Sequence, residues 1–444
     1  MRRAAITWLS LLTLACTTQD TKQAEPAAKA DAATEPAPEP EPEPEPEWQP
    51  TRREPKPEIA RKDLVAEDLP EVPTLETLAL APSGEGEFAL PEGTDELAPR
   101  AAVALRGGLL LAGQAYFQRR PGRPSPSWRW LGFVASSDQR TSSTKLDSGA
   151  VRAAVADGKG GAFLTGTHGI GFDARGWFGA VDGDAQLGVQ VDLDSPNTTE
   201  MFDVLVGATE GELALVGGYV DAQGWLVSLD AKGEQRWQKF IGSYGYTQIR
   251  GLARRGEGRE DLLAIGSRAK AFGESWWAKC PGDGGAGAAG DDVEQDKLTI
   301  EGADPHQLLR AIVDLGDAGF VALGTAKKNY LQAHDQLVAV GFDRDGAPTW
   351  SKVVPDVRVT DVFGGQTRGA AAVFVVAVPS TNPEAAPALA LVELSAAGPT
   401  TARQLDDSEG WASAGFVDGA EGGVLLSYAP SEAGIKWRQS PSAK

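Results

Sequence analysis

The stretch WLVSLDAKGEQRWQKFIG, residues 225–242, decides the fold. An apolar run enters a turn, and a second run with a tryptophan near its start leaves it. Asp230, Gly233 and Trp237 mark that turn. The same spacing returns in GFDRDGAPTWSKVV, residues 341–354, as Asp343, Gly346 and Trp350. Asp accepts backbone N–H groups in tight turns, and Gly supplies positive φ, so each copy reads as a hairpin. A hairpin that recurs is a unit of something larger.

Upstream of these turns lie runs that end in a small-residue step. They read GLLLAG, GAFLTG, ELALVG, DLLAIG, GFVALG, AVFVVA and GVLLSY. Their markers are Gly113, Gly166, Gly217, Gly266, Gly324, Ala377 and, more loosely, Ser427, at intervals of 53, 51, 49, 58, 53 and 50 residues. A fixed period near 50 residues marks a repeat architecture. Each period runs in one order: a short apolar strand (VRAAVAD, LLRAIVD), a Gly turn, the most apolar strand, and a variable loop. A third strand follows, often opening on Trp (WLGFVA, WFGAVD, WLVSLD, WWAKC), and then a polar fourth strand. Four short antiparallel strands per period predict the blades of a β-propeller, an all-β fold. The central strand is apolar throughout, as burial on both faces requires. Trp on the third strand has the area to fill the gap between sheets.

The expected blades span 99–147, 148–197, 198–242, 243–301, 302–355, 356–406 and 407–444. Seven blades is the reading adopted, with six and eight as alternatives. The last period is one strand short, and residues 74–98 (TLETLALAP, GEFALPEG) supply strands before the first full blade. An N-terminal strand completing the last blade would remove the exposed edges. The propeller domain is set at 73–444, and a single ring of this kind predicts a monomer.

LDAKGEQRWQKF resembles the repeat of PQQ-like β-propellers, whose units carry Asp, Gly and Trp around a strand turn. It also resembles repeats in propeller lipoproteins of Gram-negative bacteria. The full signature stands in two of the seven periods. The quinone-using dehydrogenases among these proteins add cofactor and metal residues with no counterpart found here, so neither activity nor cofactor is carried over.

The first residues read MRRAAITWLSLLTLACTTQD. Arg2 and Arg3 precede an apolar stretch of 12 residues, Ala4–Ala15. That is too short to span a bilayer, which needs about 20 residues, but it fits a signal-peptide core. Residues 1–15 are therefore read as a signal peptide. Ala15-Cys16 resembles the lipobox of bacterial lipoproteins, departing from it at Thr13, where Leu is preferred. The resemblance implies cleavage before Cys16 and lipidation of its thiol. Thr17, rather than Asp, leans toward the outer membrane. Residues 16–72 are then the lipidated Cys and a Pro/Glu-rich tether. EPAPEPEPEPEPEW builds no core, favours extended polyproline geometry and repels itself. Fully extended, residues 17–72 reach on the order of 170 Å.

The net charge is −20, with −8 over residues 17–72 and about −14 left for the body. Such a balance argues against a nucleic-acid partner, which needs a basic surface. His168, His306 and His334 show no metal-ligand spacing and read as loop residues. VDGD (181–184) and FDRDG (342–346) lack the continuation of a calcium loop and read as turns. Cys280 reads as a partly buried or loop thiol. Of the pair Trp276 and Trp277, alternation buries one and leaves the other as a candidate contact.

FQRRPGRPSPSWRW, residues 117–130, is the most basic loop of an acidic chain. Arg119, Arg120, Arg123, Trp128 and Arg129 are its candidate partner-contact residues, and Trp130 is assigned to the core. No catalytic, cofactor-binding or metal residue is assigned. The function these features favour is a membrane-anchored binding or scaffold protein facing the envelope, with an envelope protein or glycan as partner. The alternatives are a glycan-acting hydrolase or lyase with its site at the channel, and a structural or sensory ectodomain.

Overall fold

The computed structural model describes residues 75–441. Outside it lie residues 1–74 and 442–444, and the segments 79–82, 118–125, 194–197, 209–210, 221–222, 243–246, 256–260, 269–272, 283–293, 329–334, 380–386, 407–410, 412, 419–423 and 432–433. Two N-terminal strands, β1 (Glu76–Leu78) and β2 (Gly84–Ala89), come first. Blade 1 is β3 (Glu96–Leu105), β4 (Gly108–Tyr116), β5 (Ser127–Ala135) and the first half of β6 (Thr141–Ala156). Blade 2 is the second half of β6 with β7 (Ala162–His168), β8 (Arg175–Val181) and β9 (Leu187–Asp192). Blade 3 is β10 (Thr199–Val206), β11 (Glu212–Val220), β12 (Gln223–Asp230) and β13 (Gln235–Ile241). Blade 4 is β14 (Thr247–Arg255), β15 (Asp261–Arg268), β16 (Glu274–Cys280) and β17 (Glu294–Leu298). Blade 5 is β18 (His306–Asp314), β19 (Phe320–Lys327), β20 (Asp335–Phe342) and β21 (Pro348–Val359). Blade 6 is β22 (Asp361–Arg368), β23 (Ala371–Val378), β24 (Ala388–Ser395) and β25 (Gly398–Leu405). Blade 7 is β26 (Ser413–Asp418), β27 (Val424–Pro430) and β28 (Gly434–Pro441).

The fourth strand of blade 7 is β2, antiparallel to β28 from Gly84↔Gln439 to Ala89↔Gly434. The strand missing from the last period is thus supplied from the N-terminal side, as the sequence suggested. The first strands pack side by side in order, β3 on β6, then β10, β14, β18, β22 and β26, and β26 returns to β3. That last step is a short parallel pairing, Val417↔Ala102 and Asp418↔Val103. Seven buried apolar clusters lie one at each interface between neighbouring blades. The ring has seven blades and is closed.

Sterics explain the period. In blades 1 to 5 the first strand bulges, and the carbonyl just before the bulge presses on the second strand. A Cβ there would lie 2.2 Å from Ala98 O at Gly113, 2.0 Å from Ala150 O at Gly166 and 1.9 Å from Gln248 O at Gly266. It would lie 2.0 Å from Glu200 O at Gly218 and 2.2 Å from Leu308 O at Gly324. Only Gly accepts such an approach. In blade 3 the residue under this constraint is Gly218, one past the marker Gly217. Gly218 faces Trp225, as Gly113 faces Trp130, Gly166 faces Trp177 and Gly266 faces Trp276. These four tryptophans are at most 1 % exposed, and each fills the interface with the preceding blade.

Two features were not anticipated. β1 adds to β25 in parallel, giving blade 6 a fifth strand. The expected boundary at 147/148 falls inside the continuous β6, which serves blade 1 and then blade 2.

Candidate functional site

A bulge leaves one residue unpaired and re-aims its side chain. In the first strands those residues are Arg100, Arg152, Phe202, Arg250, Arg310 and Phe363. The first strands surround the ring axis, so these residues lie on its inner wall, and Phe363 packs from there against the apolar cluster between blades 6 and 7. They are joined across blades. Arg152 Nη2 is 3.1 Å from Glu200 Oε1 of blade 3, and Arg310 Nη1 is 3.4 Å from Asp361 Oδ1 of blade 6. The two blades with Phe at the bulge thus carry an acid two residues earlier, and each acid pairs with the Arg of the preceding blade. The Arg250 guanidinium lies 3.8 Å over the Phe202 ring, which stacks on Tyr219 at 5.9 Å. Arg250 Nη2 donates to Gln248 Oε1 at 2.5 Å.

The Arg250 guanidinium is pushed down to about 10, first by burial and then by the positive charges of Arg310 and Arg152, with Glu200 opposing. It stays charged at neutral pH. Burial, followed by Glu200, pushes the Tyr219 phenol up. Just beyond the bulge of blade 3, Asp203 accepts the N–H of Leu252 at 2.7 Å and of Val204 at 2.8 Å, tying blade 3 to blade 4.

A cavity of about 600 Å³ opens beside this belt between blades 1, 2 and 3. Its polar wall holds Gln114, Tyr116, Arg152, Thr167, Glu200 and Tyr219. Tyr116 donates to Gln114 Oε1 at 2.7 Å, and Arg152 Nη1 reaches the same oxygen at 3.4 Å. Pro126 and Ile170 form an apolar lip, with Ile170 49 % exposed. Phe117, next to Tyr116, is 42 % exposed.

The candidates read from the sequence fall elsewhere. Cys16, Arg119, Arg120, Arg123 and His334 lie outside the described residues. Trp128 is half-buried on β5, with Lys145 Nζ 4.9 Å over its ring. Arg129 is corrected from a surface contact to a core residue, 1 % exposed. Strand β5 has already begun, and pairing turns Arg129 inward, where its guanidinium lies 4.4 Å over Trp177 and 3.7 Å from Asp147. Trp277 is corrected too: it is 6 % exposed, because both faces of β16 meet a neighbouring blade.

His168 and His306 end and begin strands rather than sitting in loops, and His168 Nδ1 is 2.8 Å from Asp192 Oδ1. Cys280 is fully buried, and burial pushes its thiol up to about 12, which leaves it unreactive at neutral pH. Asp182 Oδ1 accepts the N–H groups of Asp184 and Gln186, as Asp230 does from Lys232 and Glu234. Asp343 accepts from Ala347. These aspartates cap hairpin turns. Among the described residues no group of three His, Cys, Asp or Glu is placed to hold a metal ion, and no helix is long and apolar enough to cross a membrane.

The bulge arginines were missed in the sequence. They stand in PRAAVAL, VRAAVAD, IRGLARR and LRAIVDL, at one place in each first strand. Alignment on the first strand rather than the second brings them into register.

The chain is therefore a β-propeller of seven blades built on four antiparallel strands each, with β1 as a fifth strand on blade 6, closed by its own N-terminal strand β2 and bearing arginines on its inner wall. No family model matches it, and no curated protein matches it significantly. Among solved structures it is similar to BBS1N, seen in a crystal structure with ARL6DN. That match has a TM-score of 0.48 at 10 % identity, over 83 % of this chain and 99 % of that one. It is similar to the β-propeller domain of the Trilobed protease from Pyrococcus furiosus, with a TM-score of 0.42 at 8 % identity over 79 % of this chain and 97 % of that one. It is also similar to extracellular domains 1-2 of Drosophila Semaphorin 1a, with a TM-score of 0.45 at 8 % identity over 81 % and 88 % of the two chains. At these values the likeness is one of fold alone.

Proposed function

We propose that this protein is a binding module of the cell envelope. It is held on the outer membrane by a lipid at Cys16 and offers the cavity between blades 1, 2 and 3 to an envelope protein or glycan. The observation that carries this reading is the cavity's make-up. A hydrogen-bonded wall of Tyr, Gln, Arg and Glu sits under an exposed apolar lip. Recognition sites combine these parts, an apolar contact area with a few placed polar groups, and Tyr and Arg are the residues that most often dominate binding energy. The anchor rests on the lipobox resemblance at Ala15-Cys16 and the Pro/Glu-rich segment after it.

The test places a photo-crosslinking phenylalanine analogue at Ile170 and, separately, at Phe240, which is also exposed but lies on the outer strand β13. The full chain is expressed in its envelope and irradiated. One discrete adduct from position 170 and none from position 240 is expected. Adducts of equal yield from both positions, or none from 170, would count against the cavity as the binding end. In the same cells Cys16→Ser should release the protein from the membrane fraction and remove its labelling by palmitate.

A further inference from the structure

We infer that Arg152, Arg250 and Arg310 form an oxyanion-binding site on the inner wall of the ring, made for the phosphate or carboxylate groups of a multiply charged ligand. The inference rests on the reading of this end as the binding end and names what it binds.

The argument begins with what packing does not require. The bulged position accepts Phe in blades 3 and 6, so the fold needs no Arg there. Arg nevertheless fills it in blades 1, 2, 4 and 5 of a body whose charge is about −14. Arg152, Arg250 and Arg310 are near enough for the charges of the first and last to oppose that of Arg250. Glu200 pairs with Arg152 and Asp361 with Arg310, Asp335 also attracts Arg310 and Glu200 attracts Arg250, while Arg250 itself forms no ion pair among the described residues. The Nε–H groups of all three are buried without a hydrogen-bond partner. Arg129, Arg268 and Arg438 carry buried Nε–H groups of the same kind, so what sets Arg152, Arg250 and Arg310 apart is their repeated place at the bulge of the first strand.

The donor type selects the ligand. Guanidinium groups present planar forks that match the two oxygens of a carboxylate or phosphate. Arg152 and Arg310 keep 25 % and 32 % of their side-chain surface exposed, so solvent reaches them. Arg152 also lines the 600 Å³ cavity, which gives an anion a way in. Phe202 and Tyr219 hold the Arg250 plane from one side. A site that repels itself when empty is held at a cost to stability, as binding sites commonly are.

The experiment titrates the full-length protein with pyrophosphate and with citrate, against sodium chloride at equal ionic strength. Thermal midpoint and calorimetry are the readouts. Either oxyanion should raise the midpoint beyond the chloride control, and the stronger of the two tells phosphoryl from carboxyl groups. Arg250→Gln should weaken binding by about tenfold or more, the worth of one charge-assisted hydrogen-bonded pair. Its anion-free midpoint should not fall, because the repulsion is relieved. Arg310→Gln should behave likewise, whereas Arg140→Gln, whose side chain is 82 % exposed in the β5–β6 turn, should bind as the unaltered protein does.

An independent readout on the unaltered protein is phenylglyoxal modification. Pyrophosphate or citrate should protect Arg152, Arg250 and Arg310 but not Arg140. Binding no tighter than chloride, binding insensitive to both substitutions, or absence of protection would overturn the inference. A position-170 adduct with no anion binding sinks this inference and leaves the binding-module reading. Anion binding with no adduct does the reverse.

Discussion

At the scale of single residues, the period of this sequence is set by a backbone collision. Gly266 faces a bulge whose carbonyl, Gln248 O, would stand 1.9 Å from any Cβ. No rotamer relieves that contact, because the first atom of the side chain makes it. Gly266→Ala must therefore flatten the bulge or part β14 from β15, and should destabilise the protein by about 2–3 kcal/mol, in the range of overpacked cores. Gly415 supplies the comparison, since a Cβ added there meets nothing within 4 Å. Gly415→Ala should be neutral or stabilising by a few tenths of a kcal/mol to about 1 kcal/mol, through lost freedom of the unfolded chain. Urea midpoints at constant slope measure both. Equal midpoints for the two variants would show that the bulge yields freely. The same geometry explains why Gly266→Ala should also weaken anion binding, since the bulge is what aims Arg250.

At the scale of strands, closure depends on β2. Phe88 of that strand is fully buried and meets Trp130 edge-on at 5.4 Å, so β2, hydrogen-bonded to β28 within blade 7, also joins that blade to blade 1 through side chains. Phe88→Ala should cost about 3–5 kcal/mol, as for other buried aromatics. Phe240→Ala, at a site 41 % exposed, should cost far less. If the two urea midpoints agree, β2 is an ornament rather than the closing strand.

The second strands and the incomplete last period were legible because Gly at a bulge and an apolar run buried on both faces leave direct marks in sequence. A strand in TLETLALAP was legible, but its partner was not, because three residues in parallel pairing with β25 leave no mark of where they add. The inner-wall arginines were visible as letters but not as a set, because a bulge that re-aims a side chain has no pattern of its own. Arg129 was misplaced for the opposite reason. Its neighbours Arg119, Arg120 and Arg123 read as a basic loop, yet strand β5 begins at Ser127 and carries Arg129 under Trp177.

At the scale of the whole molecule, the charges divide into groups whose effects on stability have opposite signs. Asp230 is held below the usual carboxylate range, first by the N–H of Glu234 and then by that of Lys232. Such a group contributes stability above its unfolded pKa of about 3.9 and loses it as pH falls through the folded value, so the pH dependence it adds is confined to acid. Asp203 runs the other way. Its carboxyl is enclosed between β10 and β14, and burial pushes it up to about 7 against the two N–H bonds from Leu252 and Val204. Burial also raises Asp335, against Lys327.

A raised carboxyl binds its proton more tightly in the fold than in the unfolded chain. Its contribution is fully present below about pH 4 and is lost as pH rises through about 7. One such proton is worth at most about 1.4 kcal/mol for each pH unit of that window. The thermal midpoint should therefore fall between pH 5 and pH 8 at fixed ionic strength. Asp203→Asn should flatten most of that slope, because Asn stays neutral throughout and keeps one oxygen for the Leu252 N–H. A slope unchanged by the substitution would mean that Asp203 is ionised in the fold across this range. The tie between blades 3 and 4 would then be that of a carboxylate stabilised by its two backbone donors.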